Sequence, residues 1–260
     1  MIKMLGKRPA VEDPRTLKLN EILRLEKLPE IPAEFSCTEE ATGFPLRMYR
    51  NDRWGDCVIA ARANHTVLFE FREEACILDI ADTDVLNEYW KEQGGGTCWN
   101  KRPDNGLVML YSMRDWRTGW KACGKKYSSY AFGQISSGDE DSIKAAVYLL
   151  GGVQVGLNLP ITASGQFEAG EPWEVVSTSG DGRPGSWGGH AVWLSSYHLK
   201  DGKIRYEVVT WGKKQEVSPE FLQTYGDEAY GVVDNRNTWL GDNSPVDVEK
   251  LDSYLKQLEL

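Results

Sequence analysis

The chain has 260 residues, of which 41% are hydrophobic and 27% charged, and a formal net charge of −9. That is enough chain for one domain of two lobes around a real core. The acidity excludes a nucleic-acid footprint and attraction to an anionic membrane surface, and no apolar run approaches the ~18 residues of a membrane span.

Residues 1–45 read as an N-terminal arm. Pro9, Pro14, Pro29, Pro32 and Pro45 break it, and a short helix is expected between Arg15 and Lys27, with Leu17, Ile22 and Leu25 toward the body. A pro-segment, a docking strap and a lid all fit this pattern, and a strap asks least of it. Met1 to Glu12 is charged and lacks an apolar h-region, so no secretory signal and a cytoplasmic setting are expected.

The body is expected to span 46–240, as a helical lobe over 46–126 and a β lobe over 127–240. Asn51-Asp52-Arg53-Trp54-Gly55-Asp56-Cys57 leads into an alanine-rich run that predicts a helix from Cys57 to about Glu73. Further helices are predicted over 83–93 and 106–116, with Gly94-Gly95-Gly96 as a flexible connection between them. In the second half, strands are predicted over 127–135 and 153–161, around a helix opened by Asp139. A glycine-rich loop from Gly165 to Gly189 follows. Strands over 190–199 and 203–211 are joined by the hairpin signal Asp201-Gly202, a short helix starts at Ser218-Pro219, and a last strand covers 229–233. The tail, 241–260, is an amphipathic helix with Leu251, Tyr254, Leu255 and Leu258 on one stripe, suited to docking or to core packing.

Five cysteines (Cys37, Cys57, Cys76, Cys98 and Cys123) form no C-x-x-C pair and are odd in number, which points to free thiols. Cys57 and His65 lie two helical turns apart, ~12 Å by helix rise, too far to share a metal. Neither a metal nor a cofactor is expected. Cys57 stands at a loop-to-helix junction, where free N–H groups and the helix dipole favour a thiolate. The alternative is a small hydrophobe in the core. His190, in Trp187-Gly188-Gly189-His190-Ala191-Val192, opens a strand 133 residues after Cys57. A helix-start cysteine with a histidine ~130–150 residues downstream is the spacing of one class of thiol hydrolase.

These residues resemble the papain-like cysteine peptidases. In that family a glutamine six positions before the cysteine serves the oxyanion, and Asn51 stands there here, with Gly55 two positions before Cys57. Val209-Thr210-Trp211-Gly212 occupies the place of the family's Asn-Ser-Trp-Gly. The run from Gly6 to about Tyr230 also looks like a group of uncharacterised phage and bacterial proteins. They share Asn-Asp-x-x-Gly-Asp-Cys, Trp-Gly-Gly-His-Ala, Thr-Trp-Gly and Asp-Glu-Ala-Tyr (here Asp227 to Tyr230).

The resemblance implies an α+β fold, papain-like, with an N-terminal helical half packed on a C-terminal antiparallel β half and an active-site cleft between them. It implies Cys57 as nucleophile, His190 as base, Asn51 at the oxyanion, Thr210 as the orienting residue and Trp211 as a shield over the histidine. The implied function is a thiol hydrolase or acyl transferase acting on a peptide or protein substrate. The other reading is a papain-fold interaction protein with a vestigial dyad, a virion component docking on other virion proteins through arm or tail.

Overall fold

The computed structural model describes residues 3–95 and 103–258; Gly96 of the expected glycine connection and Cys98 fall outside this range. In chain order the regular elements are α1 (Leu19–Ile22), β1 (Phe35–Ser36), α2 (Cys37–Glu40), α3 (Cys57–Glu74), α4 (Asp82–Glu92) and α5 (Met109–Thr118). Then follow β2 (Trp120–Ala122), β3 (Lys125–Tyr127), β4 (Ala131–Gln134), α6 (Glu140–Leu150), β5 (Val153–Leu159) and α7 (Ile161–Ala169). The chain ends with β6 (Gly188–Lys200), β7 (Lys203–Thr210), β8 (Lys213–Val217), α8 (Pro219–Tyr225), β9 (Gly226–Val233) and α9 (Val248–Leu258).

A helical half thus precedes an antiparallel half. The main sheet runs β4-β9-β5-β6-β7-β8, with β1 added on β6, and every neighbouring pair is antiparallel. The local causes are those the residues suggest. Asp139 caps α6 by accepting from Ser142 N at 3.1 Å, and Ser218 caps α8 by accepting from Phe221 N at 3.1 Å, with Pro219 at the first helical position. Asp201 and Gly202 both take positive φ, 51° and 71°, as a two-residue hairpin turn requires.

Four elements differ from expectation. The stretch 15–27 forms only the single turn α1 and a 3₁₀ turn at Leu25–Lys27. Strand pairing with β9 begins at Ala131, because Lys125–Tyr127 instead closes a small hairpin with Trp120–Ala122. A helix, α7, runs into the start of the glycine-rich loop; Pro160 opens it after β5 and Gly170 ends it at φ 72° despite Gly165 in its interior. A polar edge strand, Lys213–Val217, follows the Trp211-Gly212 turn.

The helix α3 is central. Every residue from Cys57 to Phe69 is buried, so one helix face packs against the β half while the other sides pack within the helical half. Its polar side chains must therefore find partners inside. His65 sits between Leu150 O at 3.2 Å and Gln154 Nε2 at 3.1 Å. Asn64 Nδ2 donates to Ala60 O at 3.1 Å. Arg62, fully buried, donates to Ser112 O at 2.6 Å and approaches Glu92 at 2.7 Å and Glu88 at 3.7 Å.

The segment 3–45 and the tail wrap this body. Leu19, Ile22, Cys37 and Ala41 reach the β-half core, and Leu251 of α9 is completely buried beside them. Asp247 N donates to Ile22 O at 2.8 Å, and Arg24 N donates to Pro245 O at 2.8 Å. No helix among the described residues is long and apolar enough to cross a membrane.

Replacing Arg62 by leucine should destabilise the fold by about 3–5 kcal/mol in urea titration, because buried Glu92 loses its cation, whereas Glu88 keeps Lys91 at 2.9 Å. Burial pushes the Glu92 carboxyl up to about 7 from 4.5. A raised carboxyl binds its proton more tightly when folded. Its stabilising contribution is therefore full below about 4.5 and is lost as pH rises through about 7. Glu92→Gln should flatten that part of the stability profile.

Candidate active site

The N-terminus of α3 meets the first residues of β6. Cys57 is the first helical residue and Asp56 holds the N-cap position. The Cys57 Sγ accepts from Ala191 N at 3.4 Å, so the thiol lies against the residue that follows His190. The His190 ring is 1% exposed. Its Nε2 pairs with Thr210 Oγ1 at 2.6 Å, and its buried Nδ1 has no hydrogen-bond partner. The Trp211 indole stacks on the imidazole with ring centres 4.1 Å apart and planes 11° apart. Trp211 takes φ 44° to do so, a left-handed backbone in a non-glycine residue, with Gly212 next at 72°. The structure thus brings Cys57, His190, Thr210 and Trp211 to one place.

Asn51 is near but otherwise engaged. Its Nδ2 donates to Trp54 O at 2.9 Å and to Asp56 Oδ1 at 3.1 Å, which uses both amide hydrogens. It would have to leave Asp56 to face an oxyanion. Asp56 itself is fully buried, and its other carboxyl oxygen has no partner. Burial pushes that carboxyl well above the usual carboxylate range, the Asn51 amide opposing. The Asp56 charge in turn adds to the causes that raise the Cys57 thiol.

Sequence reasoning does not reveal what covers the site. Residues 4–8 cross the cleft as a strap. Met4 N donates to Asn51 O at 3.0 Å, Leu107 N to Gly6 O at 2.8 Å, Lys7 N to Gly189 O at 3.1 Å and Arg8 N to Leu107 O at 2.8 Å. Trp211 Nε1 donates to Met4 O at 3.4 Å. Gly6 is required by close approach, since a Cβ there would lie 1.8 Å from Gly55 O. The Gly6 backbone lies close enough to the Cys57 thiol to lower it, against the larger effect of burial.

The cover decides the electrostatics. Cys57 is 1% exposed, and burial pushes its thiol up to about 11, although the N–H groups of Ala191 and Gly6 pull the other way. Burial pushes His190 down to about 3. The helix-start position alone favours a thiolate. In the strapped structure desolvation is larger, and the pair is a neutral thiol and a neutral imidazole.

No protein-family model matches the sequence, and no curated protein matches it in sequence. Solved structures do match in fold. Xylellain, a cysteine protease from Xylella fastidiosa, aligns over 90% of this chain and 97% of its own with a TM-score of 0.68 at 14% identity. Procathepsin B S9 from Trypanosoma congolense aligns over 89% of this chain and 87% of its own, TM-score 0.61 and 14% identity. Digestive procathepsin L 3 of Tenebrio molitor aligns over 89% and 76%, TM-score 0.55 and 11% identity. The fold is papain-like: α+β, with helices packed on an antiparallel sheet.

Gly6→Ala should drive the strap off Gly55 and open the cleft. Iodoacetamide labelling of Cys57 at pH 7, followed by peptide mass spectrometry, should then accelerate by about tenfold or more as desolvation is relieved. The pH midpoint of the reaction should move down from near 11. Unchanged labelling would show that the strap does not control the thiol.

Proposed function

We propose that the chain is a thiol-dependent hydrolase or acyl transferase acting on a peptide or amide bond, with Cys57 as nucleophile and His190 as base. One observation carries this reading. The thiol at the start of α3 lies against the backbone of the histidine strand, while His190 is held at Nε2 by Thr210 and leaves Nδ1 without a partner. A base of a thiol needs that arrangement: one ring nitrogen anchored and the other unbound.

With the strap displaced, water and substrate reach the pair. The Cys57 proton passes to His190 Nδ1 and sulfur attacks the carbonyl carbon. The first N–H groups of α3 lack intrahelical acceptors, and the Cys57 N–H among them can face the oxyanion. Asn51 adds a second donor if its amide exchanges Asp56 for the substrate. The imidazolium returns the proton to the leaving amine, and a thioester remains on Cys57. Water or an acceptor nucleophile, with His190 again as base, then releases the acyl group. Trp211 covers the ring face of His190 and keeps water from its bond to Thr210.

A second reading is favoured by the strap itself, which leaves both reacting groups buried and uncharged. On this reading the chain is an interaction protein in which the filled cleft is the resting and only state.

Turnover of a casein-derived fluorogenic peptide pool by the Gly6→Ala variant separates the two. Hydrolysis is expected, with Cys57→Ala and His190→Ala removing it. Thr210→Val should cost about 1–2 kcal/mol of barrier, the worth of one hydrogen bond, or roughly 5- to 30-fold in rate. A folded, opened variant that turns nothing over would leave the interaction reading standing. A Thr210→Val variant as fast as its parent would show that His190 is oriented by backbone or water.

A further inference from the structure

The strap carries a lysine into the body. The Lys7 side chain has no solvent exposure, and its Nζ donates to Asp227 Oδ2 at 2.7 Å and to Arg8 O at 3.1 Å. Glu228 Oε1 lies 3.3 Å from the same nitrogen. Both acids stand at the start of β9, and the body fixes each of them. Asn158 Nδ2 on β5 donates to Asp227 Oδ2 at 3.1 Å, and Tyr230 Oη donates to Glu228 Oε2 at 2.9 Å. Gly156 supplies the room. A Cβ at that position would lie 2.2 Å from Lys7 Cε and 2.7 Å from Glu228 Cγ.

This pocket holds more than an anchor needs. One ammonium faces two carboxylates: Asp227 Oδ1 is buried without a hydrogen-bond partner, and Glu228 Oε1 has only the 3.3 Å ion pair with Lys7. Lys7 fills its remaining donor site with the carbonyl of its own neighbour, Arg8, and not with a group of the pocket. A guanidinium, with five donors in a planar fork, could use the spare oxygens that lysine leaves. The lysine enters the body beside the reacting groups. Lys7 N bonds Gly189 O at 3.1 Å, one residue before His190, and Ala191 N, one residue after it, bonds the Cys57 thiol at 3.4 Å.

We propose that the pocket formed by Asn158, Asp227, Glu228 and Tyr230 over Gly156 is the specificity site of the thiol centre. It takes the lysine or arginine side chain of a peptide substrate next to the scissile bond, and Lys7 occupies it in this structure as an internal substitute. The inference rests on the hydrolase reading and names its substrate class. A buried glutamate and a half-buried aspartate select for a cation, because an apolar side chain would leave both carboxylates without a counter-charge, and a neutral one could satisfy only part of their accepting capacity.

The test uses the full chain carrying Gly6→Ala and Lys7→Ala, so that the strap is displaced and the pocket is emptied. The probes are two sets of peptidyl chloromethyl ketones, identical except for arginine or leucine at either of the two residues before the reactive carbon. The readout is the Cys57 adduct by mass spectrometry, and iodoacetamide labelling of the same residue serves as the reference. An arginine probe should label Cys57 at least about tenfold faster than its leucine counterpart, the scale on which a buried charged pair discriminates. Asp227→Asn with Glu228→Gln should abolish that ratio and leave iodoacetamide labelling unchanged. Glu228→Gln alone, which keeps the rest of the pocket intact, should reduce it. Equal labelling by arginine and leucine probes, with Cys57 reactive to iodoacetamide, would overturn the specificity site and leave the thiol centre standing. A Cys57 inert to iodoacetamide in the opened, folded variant would overturn the hydrolase reading and this inference with it.

Discussion

The contact from which the rest follows is the one between the first turn of α3 and the first residues of β6. It is made once, by Ala191 N–H on Cys57 Sγ, but it is held by the burial of thirteen consecutive helical residues. A helix packed on every side cannot slide by a residue without turning Arg62, His65 and Asn64 away from the groups that satisfy them. Each such displacement leaves a buried polar atom unpaired, at about 1–3 kcal/mol apiece. The polar residues of α3 thus fix the helix register, and the register fixes the thiol against the histidine strand.

Two influences act on that thiol with opposite sign, and their sizes decide the outcome. A helix N-terminus favours an anion by typically 0.3–1 kcal/mol and at most ~2 kcal/mol. Burial of Cys57 lifts it from 9.0 to about 11, which at 1.36 kcal/mol per unit is about 3 kcal/mol against the anion. The same burial takes the imidazole from 6.5 to about 3. Proton transfer between the two is therefore unfavourable from both ends while the strap is in place. The neutral state follows from the burial of both groups.

Much of this was legible in the residues. The helix start at Cys57, the strand that opens at His190, the Asp201-Gly202 hairpin and the caps of α6 and α8 are local signals, each carried by a few neighbouring side chains. What was hidden is non-local. Lys213–Val217 reads as polar surface because it is an edge strand, and α7 was masked by Gly165 in its interior. The strap depends on Gly6 pairing with Leu107 and Lys7 with Gly189, across sequence separations that no periodicity records. Asn51 keeps its place six residues before Cys57, yet its amide goes to Asp56, a partner the motif does not specify. Asp227-Glu228 was visible as a motif without a role until a lysine from the other end of the chain was found between them.

On the proposed reading, that lysine ties closure to recognition. The strap is part of the chain, so its effective concentration at the cleft is of the order of millimolar, and a free peptide must displace it against that advantage. The hydrogen bonds that the strap makes to Gly189 and Leu107 use backbone groups, which any extended peptide can offer in turn. The pocket is where an incoming chain can match the strap in strength, by bringing a cation of its own to Asp227 and Glu228. A peptide without one would have to break the Lys7 ion pairs and leave buried Glu228 and half-buried Asp227 without a counter-charge. Closure and selectivity are then set by the same four side chains, and a change that loosens the lock also loosens the choice of substrate.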